Sequence, residues 1–195
     1  MVTDEQLMLD ARSGSREAFE TLFERHRDAV WRFFRRRIPE VERAEDLAQD
    51  VFVAVLGNAA RYEPRSSFRS YLFGIAFNVL LAERRKANRR STDPLDDLPG
   101  TAVDPDAALW VWRALAALDA DAREMVMLRE YEQLTYREIA DLLRMPLNTV
   151  RSRLFRARMD LKAALLQPRD VPRLVARNFG PASTPGSTKA QHEHS

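Results

Sequence analysis

The spacing of apolar residues constrains this chain more than any other feature. Apolar residues recur every three or four positions over most of its length, and no segment alternates apolar and polar residues between turns. This spacing places side chains along one face of a helix, whereas alternation would indicate strands. The clearest stretch lies before Pro39 and contains Phe19, Leu22, Phe23, Val30, Phe33 and Phe34. The chain is therefore predicted to be all-α.

Two helical blocks are separated by a segment of different composition. Residues 91–106 contain three prolines and five aspartates but no basic residue, which is typical of an extended acidic linker. We therefore predict a first domain at residues 1–90 and a second at residues 107–166. Residues 167–195 lose the helical spacing and are richer in Pro, Ser and Gly, so this tail is predicted to be largely disordered.

Capping residues and helix breakers indicate where the helices begin and end. Three pairs fit N-terminal caps: Thr3 with Gln6, Asp121 with Glu124, and Thr135 with Glu138. The first block is predicted to contain helices ending at Ala11 and near Arg37, a third from Glu45 to Leu56 and a fourth from Phe68 to Asn88. The second block is predicted to contain helices around residues 109–118, up to Tyr131, after Thr135 and from about Asn148.

The last two of these helices have the pattern of a helix-turn-helix. Their inward positions are predicted to be Ile139, Ala140, Leu143, Val150, Leu154, Ala157 and Leu161, with a turn at residues 144–147. The small side chain of Ala140 lets the two helices cross closely, as this motif requires. Arg144 stands where the turn usually prefers glycine, because φ is positive there.

The second helix of this pair leaves a basic, polar face exposed to solvent. Its predicted outward residues are Asn148, Arg151, Ser152, Phe155, Arg156 and Arg158. A helix of this kind fits the DNA major groove, where Arg can contact guanine and Asn adenine, while Thr135 and Tyr136 suit a phosphate contact. The alternative is an exposed basic helix on an ordinary helical bundle.

Several function classes are disfavoured by what the sequence lacks. It has no cysteine, no Gly-rich phosphate loop and no nucleophile–base arrangement, so we expect no catalytic residues, no metal site and no cofactor. His26 falls within a predicted helix, where a structural role is expected. No apolar run is long enough to span a membrane, and the N-terminus is too polar for a signal peptide, so a cytoplasmic protein without membrane insertion is expected.

Four segments, in order along residues 4–165, resemble those of extracytoplasmic-function sigma factors. The segment Ala44 to Phe52 is similar to their polymerase-binding helix, and Phe68 to Asn78 is similar to their promoter-melting segment. Leu134 to Ala140 and Thr149 to Arg158 resemble their second DNA-binding domain. The resemblance implies two helical domains that bind core RNA polymerase, recognise the minus-ten and minus-thirty-five promoter elements, and promote strand opening.

The resemblance also implies roles for particular residues. The polymerase-binding set, expected to face the beta-prime clamp helices, is Asp46, Gln49, Asp50 and Phe52. The set expected to contact the unpaired minus-ten strand is Ser67, Arg69, Ser70, Tyr71, Asn78, Arg84 and Arg85. The duplex-contacting set is Thr135, Tyr136, Asn148, Thr149, Arg151, Ser152, Arg153, Phe155 and Arg156. The beta flap and an anti-sigma factor are further partners that the resemblance suggests.

Some alternatives stay open at the level of sequence. The aromatic residues of the melting segment could line a pocket for an unstacked base, but Leu72, Phe73 and Phe77 are better explained as core, and Tyr71 fits either role. The family often has Trp at Tyr71 and Arg at Phe77, which leaves promoter preference undetermined. A stand-alone helix-turn-helix regulator and an enzyme are the rival functions. The first-block motifs argue against the regulator, and the lack of a catalytic arrangement argues against the enzyme.

Overall fold

Eight α-helices make up the part of the chain that the structure describes, a computed structural model covering residues 2–90 and 105–166. In chain order they are α1 (Asp4–Arg12), α2 (Arg16–Arg35), α3 (Val41–Gly57), α4 (Phe68–Arg90), α5 (Pro105–Ala116), α6 (Ala120–Glu130), α7 (Tyr136–Leu143) and α8 (Leu147–Leu166). A short 3-10 turn, Ala59–Arg61, follows α3. Neither described range contains a strand, and the all-α prediction is confirmed. Residues 91–104 of the predicted linker and the predicted tail from residue 167 lie outside the described residues. Pro105 and Asp106, which the sequence assigned to the linker, are instead the first two residues of α5.

The first four helices, the N-terminal group, pack around the apolar face of α2. α2 contacts α1, α3 and α4, and its residues Leu22, Val30, Phe33 and Phe34 are buried. Phe19 and Phe23 lie half-buried at the edge of this face. Phe33 packs edge-on against Phe34, with ring centroids 5.1 Å apart, and also contacts Phe73 of α4. The three- and four-residue spacing therefore identified the buried side of α2, with its two edge positions only partly covered.

The last four helices, the C-terminal group, are organised around α8. α5, α6 and α7 all contact α8, whose residues Val150, Leu154 and Ala157 are buried. Trp112 of α5 stacks nearly parallel to Tyr131, with an interplanar angle of 4°. Burying one face of α8 in this way leaves its opposite face exposed.

The helix ends differ from the sequence expectations in identifiable places. α3 begins at Val41 rather than Glu45, and no side chain caps it, so no capping residue marked its start. The predicted Asp121–Glu124 cap is wrong, because Asp119 caps α6 by accepting a hydrogen bond from Ala122 N at 2.9 Å. Thr3 caps α1 as predicted, but the Gln6 side chain donates to Asp10 instead of completing a capping box.

Candidate nucleic-acid interface

The turn between α7 and α8 has the geometry of a helix-turn-helix. Thr135 accepts a hydrogen bond from Glu138 N, and Glu138 accepts one from Thr135 N at 2.8 Å, which completes the predicted capping box. Ile139 and Ala140 are buried beneath α8. Arg144 ends α7 in the left-handed region, at φ 54° and ψ 45°, as the turn pattern predicted. α8 then begins three residues later at Leu147.

The exposed face of α8 presents most of the predicted duplex-contacting residues side by side. Those exposed to solvent are Asn148, Arg151, Ser152, Phe155 and Arg156. Their spacing of three and four residues places them on one side of the helix, opposite Val150, Leu154 and Ala157. Phe155 is 66% exposed, which is unusual for a large apolar side chain. The face combines guanidinium and amide donors with one apolar ring, the groups that contact base edges and thymine methyls.

Other predicted duplex residues lie at the margins of this face. Thr149 is half-buried, and Arg153 is held by Asp121 of α6 at 3.0 Å. The hydroxyl of Tyr136 accepts a hydrogen bond from Arg158 at 2.7 Å, and Arg158 also pairs with Glu130. Arg153 would have to leave an exposed ion pair to reach DNA, at a cost of about 1 kcal/mol or less.

The aromatic residues of the predicted melting segment are mostly core. Phe68, Phe73 and Phe77 are buried, as is Tyr62, whereas Tyr71 is half-buried. Tyr62 and Tyr71 pack edge-on at 5.0 Å, and burial raises the pKa of Tyr62 to about 12. Burial also raises the pKa of Tyr71. Within this cluster, Tyr71 is therefore the ring with surface left to offer a base.

The predicted minus-ten residues fall into two sets. Asn78 and Arg85 are exposed, on the side of α4 away from the core. Ser67, Arg69 and Arg84 instead contact the C-terminal group. Ser67 donates to Glu138 at 2.7 Å, Arg69 donates to the backbone carbonyl of Glu132 at 2.7 Å, and Arg84 lies 3.4 Å from Glu124.

Ser70 has a structural contact at the start of α4. Its backbone N–H donates to the Ser67 hydroxyl at 3.1 Å, which helps to close the first turn of the helix. Its position therefore depends on that of Ser67.

Two acidic residues, neither of which the sequence predicted to connect the domains, join the two helical groups. Glu132 is 1% exposed and accepts two hydrogen bonds from Arg36, at 2.9 and 3.0 Å, and one from Arg37 at 3.2 Å. Arg37 also donates to Glu124 at 2.8 and 3.0 Å. Burial would raise the pKa of Glu124, but the charge and hydrogen bonds of Arg37, followed by those of Arg84, lower it below its ordinary value.

The predicted polymerase-binding stripe is exposed on α3. Asp46, Gln49 and Asp50 face solvent, while Phe52 is buried and packs edge-on against Phe23 at 4.8 Å. Beside the stripe lies an open groove lined by Phe23, Arg27, Asp28, Trp31, Glu45, Ala48, Gln49 and Phe52. Acidic and amide groups thus border an apolar groove in which Phe52 forms part of the wall.

Two features are absent from the described residues. Among residues 2–90 and 105–166 there is no group of three or more His, Asp or Glu side chains placed to hold a metal ion. No described helix combines the length and apolar character needed to cross a bilayer.

Comparisons with known proteins match both helical groups. Residues 22–90 match sigma-70 region 2, and residues 108–161 match sigma-70 region 4. The probable RNA polymerase sigma-C factor of Mycobacterium bovis is 31% identical over 172 residues, which is 85% of this chain and 92% of that protein. The RNA polymerase sigma factor YlaC of Bacillus subtilis is 29% identical over 82% of this chain and 98% of its own length.

Solved structures agree with these relatives. CnrH, in complex with the cytosolic domain of CnrY, has a TM-score of 0.62 and 27% identity over 83% of this chain and 96% of its own. The sigma factor RpoE of Bartonella quintana, in complex with the anti-sigma factor NepR, has a TM-score of 0.63 and 25% identity over 77% of this chain and 98% of its own.

The C-terminal group contains a helix-turn-helix with a basic exposed helix, and the N-terminal group matches sigma-70 region 2. Together these two features define a bacterial transcription initiation factor. Within that class, the chain belongs to the extracytoplasmic-function sigma factors of RNA polymerase. It acts in transcription initiation, with core RNA polymerase and promoter DNA as its partners, and the family fits a non-catalytic regulator.

Proposed function

We propose that the two helical groups divide the work of promoter recognition. Residues 1–90 bind core polymerase and the minus-ten element, residues 107–166 bind the minus-thirty-five element, residues 91–106 tether them, and residues 167–195 are a tail. The observation that carries this proposal is the exposed face of α8, where Asn148, Arg151, Ser152, Phe155 and Arg156 lie together on a capped helix-turn-helix. On this proposal the protein works in the cytoplasm, as a regulator without catalytic activity of its own.

Arg151 tests the duplex-contacting face. Its guanidinium is exposed on that face, so Arg151→Ala should weaken promoter binding by the reconstituted polymerase by roughly 1–3 kcal/mol and relax preference at one base pair. Arg16→Ala is a matched control, because Arg16 is an exposed arginine in an ion pair on α2. A loss of equal size on every DNA sequence, or no loss at all, would refute the assignment of α8 as the helix that contacts bases.

On the minus-ten side, we infer that Asn78, Arg85 and the exposed part of Tyr71 face the separated strand. Stacking on an aromatic ring contributes roughly 1–3 kcal/mol per base, so Tyr71→Ala should slow strand opening at a fixed level of promoter binding. Permanganate reactivity of thymines in the opened region measures this step. Tyr71→Phe keeps the ring and should open promoters like the parent, so equal defects in the two variants would contradict stacking.

The α3 stripe is proposed to bind the beta-prime clamp helices, with the C-terminal group facing the beta flap. Asp50 is exposed on the stripe, so Asp50→Arg places the opposite charge in the contact and should reduce co-purification with core polymerase. Glu63→Arg reverses a charge on an exposed loop residue and serves as the control. Unchanged association of Asp50→Arg with core polymerase would rule out this contact.

The relatives also suggest a protein partner. RpoE of Bartonella quintana is described in complex with an anti-sigma factor, and on that basis we infer that an anti-sigma factor binds this chain as well.

A stand-alone helix-turn-helix regulator is the rival function. Gel-shift assays with and without core polymerase separate the two, because a regulator of that kind would select its site without polymerase.

A further inference from the structure

Helix α1 contacts both ends of the loop that leads into α4. At one end, the Arg12 guanidinium donates a hydrogen bond to the backbone carbonyl of Tyr62 at 3.1 Å. At the other end, the Glu5 carboxylate accepts one from the backbone N–H of Phe68 at 2.8 Å. Glu5 and Arg12 are seven residues apart, so they lie on the same face of α1, roughly 10 Å apart along its axis. One face of α1 therefore spans the loop.

The loop between these two anchors is exposed to solvent. Residues 63–67 are all exposed, whereas Tyr62 and Phe68 at its ends are buried. Within the loop, Arg65 N donates to the backbone carbonyl of Glu63 at 2.8 Å, and the two side chains form an ion pair. Contacts between residues two positions apart shape the loop but do not fix it to the rest of the N-terminal group. The hydrogen bonds to α1 make that connection.

α1 is in turn fixed to α2. The Asp4 carboxylate accepts a hydrogen bond from Arg25 at 2.8 Å, and its other oxygen lies 2.6 Å from Nε2 of His26. Met8 of α1 is fully buried. Because Glu5 directly follows Asp4, these contacts also set the position of the Glu5 carboxylate. The start of α4 is thus connected through α1 to the helix at the centre of the N-terminal group.

The two ends of the loop also carry the rings that surround Tyr71. Tyr62 and Phe68 both pack against Tyr71, with ring centroids 5.0 and 6.2 Å away. Tyr71 is the ring proposed to stack on an unpaired base. A loop that is already held in place does not have to be ordered when the strand binds, so less of the binding free energy is lost.

We propose that Glu5 and Arg12 are positioning residues for promoter opening: they hold residues 63–67 and the first turn of α4 in the arrangement that receives the separated minus-ten strand. This inference rests on the proposed function, since Ser67 and Tyr71 belong to its minus-ten set. Glu5 and Arg12 act through the backbone at the two ends of the loop and need not touch DNA themselves.

Hydrogen exchange tests whether Glu5 holds the loop. In the full chain bound to core polymerase, Glu5→Ala removes the acceptor of the Phe68 N–H, so the amides at the start of α4 should exchange at least about tenfold faster. Glu5→Gln keeps a side-chain oxygen at the same position and should stay within about threefold of the parent. Gln6→Ala is the matched control, because the Gln6 side chain is exposed and donates to Asp10 of the same helix. Unchanged exchange at α4 in Glu5→Ala would overturn the proposal.

Promoter opening tests what this positioning achieves. On a promoter mapped with the wild-type holoenzyme, Glu5→Ala and Arg12→Ala should each open the strands about tenfold more slowly, as followed by permanganate reactivity. Binding of the same holoenzymes to a duplex carrying only the minus-thirty-five element should stay unchanged. Arg12→Lys keeps a donor and should open within about threefold of the parent. Because unfolding of the N-terminal group would also prevent assembly with core polymerase, equal losses in opening and in duplex binding would contradict positioning.

The preference for the minus-ten sequence gives a further readout. Substituting a minus-ten base should slow opening by the parent more than opening by Glu5→Ala, because a loosely held loop discriminates less between bases. Faster exchange at α4 with an opening rate and base preference equal to those of the parent would also overturn the proposal. If the wild-type holoenzyme itself fails to select start sites, the proposed function fails instead, and exchange in the free chain still reports whether Glu5 holds the loop.

Discussion

Arg144 shows how a single residue can satisfy a turn at some cost. It adopts the left-handed conformation that closes α7, where its Cβ crowds the backbone. Arg144→Gly should remove this crowding and raise the free energy of unfolding of the C-terminal group by about 0.5–1 kcal/mol, after the entropy cost of glycine is subtracted. Urea denaturation would measure the gain. Arg144→Ala keeps the crowding, so an equal gain from alanine would contradict this explanation.

Single residues were predicted well where their role is local and poorly where it depends on a distant partner. The positive φ of Arg144 and the Thr135–Glu138 pair follow from residues within a few positions. The role of Glu124 does not: the sequence pattern suggested a helix cap, whereas its partner Arg37 lies 87 positions away. The consecutive basic residues Arg35, Arg36 and Arg37 were the available signal, but nothing in one sequence indicates which carboxylates they meet.

At the scale of elements, α7 depends on its N-terminal cap. The helix has only eight residues, too short to be stable without packing and capping. Thr135→Ala removes the side-chain acceptor for Glu138 N and should lower the free energy of unfolding of the C-terminal group by about 1 kcal/mol. Thr21→Ala is the control, because the Thr21 hydroxyl donates only to the backbone carbonyl of Glu17 inside α2. Similar losses in both variants would argue against a capping effect.

α4 contains a glycine in its interior that has room for a side chain. A Cβ at Gly74 would meet Leu142 Cδ1 at 4.0 Å, which is ordinary van der Waals contact. Gly74→Ala should therefore stabilise the helix by about 0.5–1 kcal/mol, because alanine loses less backbone entropy on folding. Thermal unfolding followed by circular dichroism checks this. A lower melting temperature for Gly74→Ala would mean that the contact with Leu142 is tighter than this distance implies.

Element types were predictable from sequence, but several boundaries were not. Apolar spacing identified the helices, and Pro39 indicated the end of α2, which stops at Arg35. α3 begins four residues before the predicted Glu45, because Glu40 precedes it without any side-chain cap to mark the start. The start of α7 was predicted correctly because the Thr135 and Glu138 pattern completes a capping box, whereas the Asp119 cap that starts α6 was missed.

For the whole molecule, the sequence predicted two helical blocks but not how they meet. Side chains with long, flexible stems form the contact, and their partners are far apart in the chain: Arg36 and Glu132 are separated by 96 positions. Helical periodicity and capping patterns relate only residues that are close together in the sequence. The exposed face of α8 was predictable because the apolar spacing of the helix identifies its buried side, and the residues on the opposite side must then face solvent.

Acidification should separate the two helical groups, which in this structure are closed against each other by ion pairs of Glu124 with Arg37 and Arg84. Burial raises the pKa of Glu124, but Arg37 and Arg84 outweigh this effect and lower it in the closed form. Burial also raises the pKa of Glu138, but hydrogen bonds from the Ser67 hydroxyl and from Thr135 lower it overall. Once open, Glu124 returns towards its ordinary pKa of 4.5, so the closed form binds fewer protons than the open form. This stabilisation is fully present above pH 4.5 and is lost as pH falls through the lowered value.

The chain contains no cysteine, so Ala60→Cys and Ala163→Cys place one dye at an exposed position in each helical group, and energy transfer between the dyes reports whether the groups are closed. This transfer should stay level from neutral pH to about 4.5 and then fall, while circular dichroism follows helix content separately. Glu124→Gln should lower transfer at neutral pH and flatten its dependence on pH, because the amide has no proton to gain. The groups that face Glu124 across the contact are Arg37 and Arg84. An increase in energy transfer on acidification would contradict this prediction, because protonating a carboxylate that is ion-paired across the contact should separate the two groups.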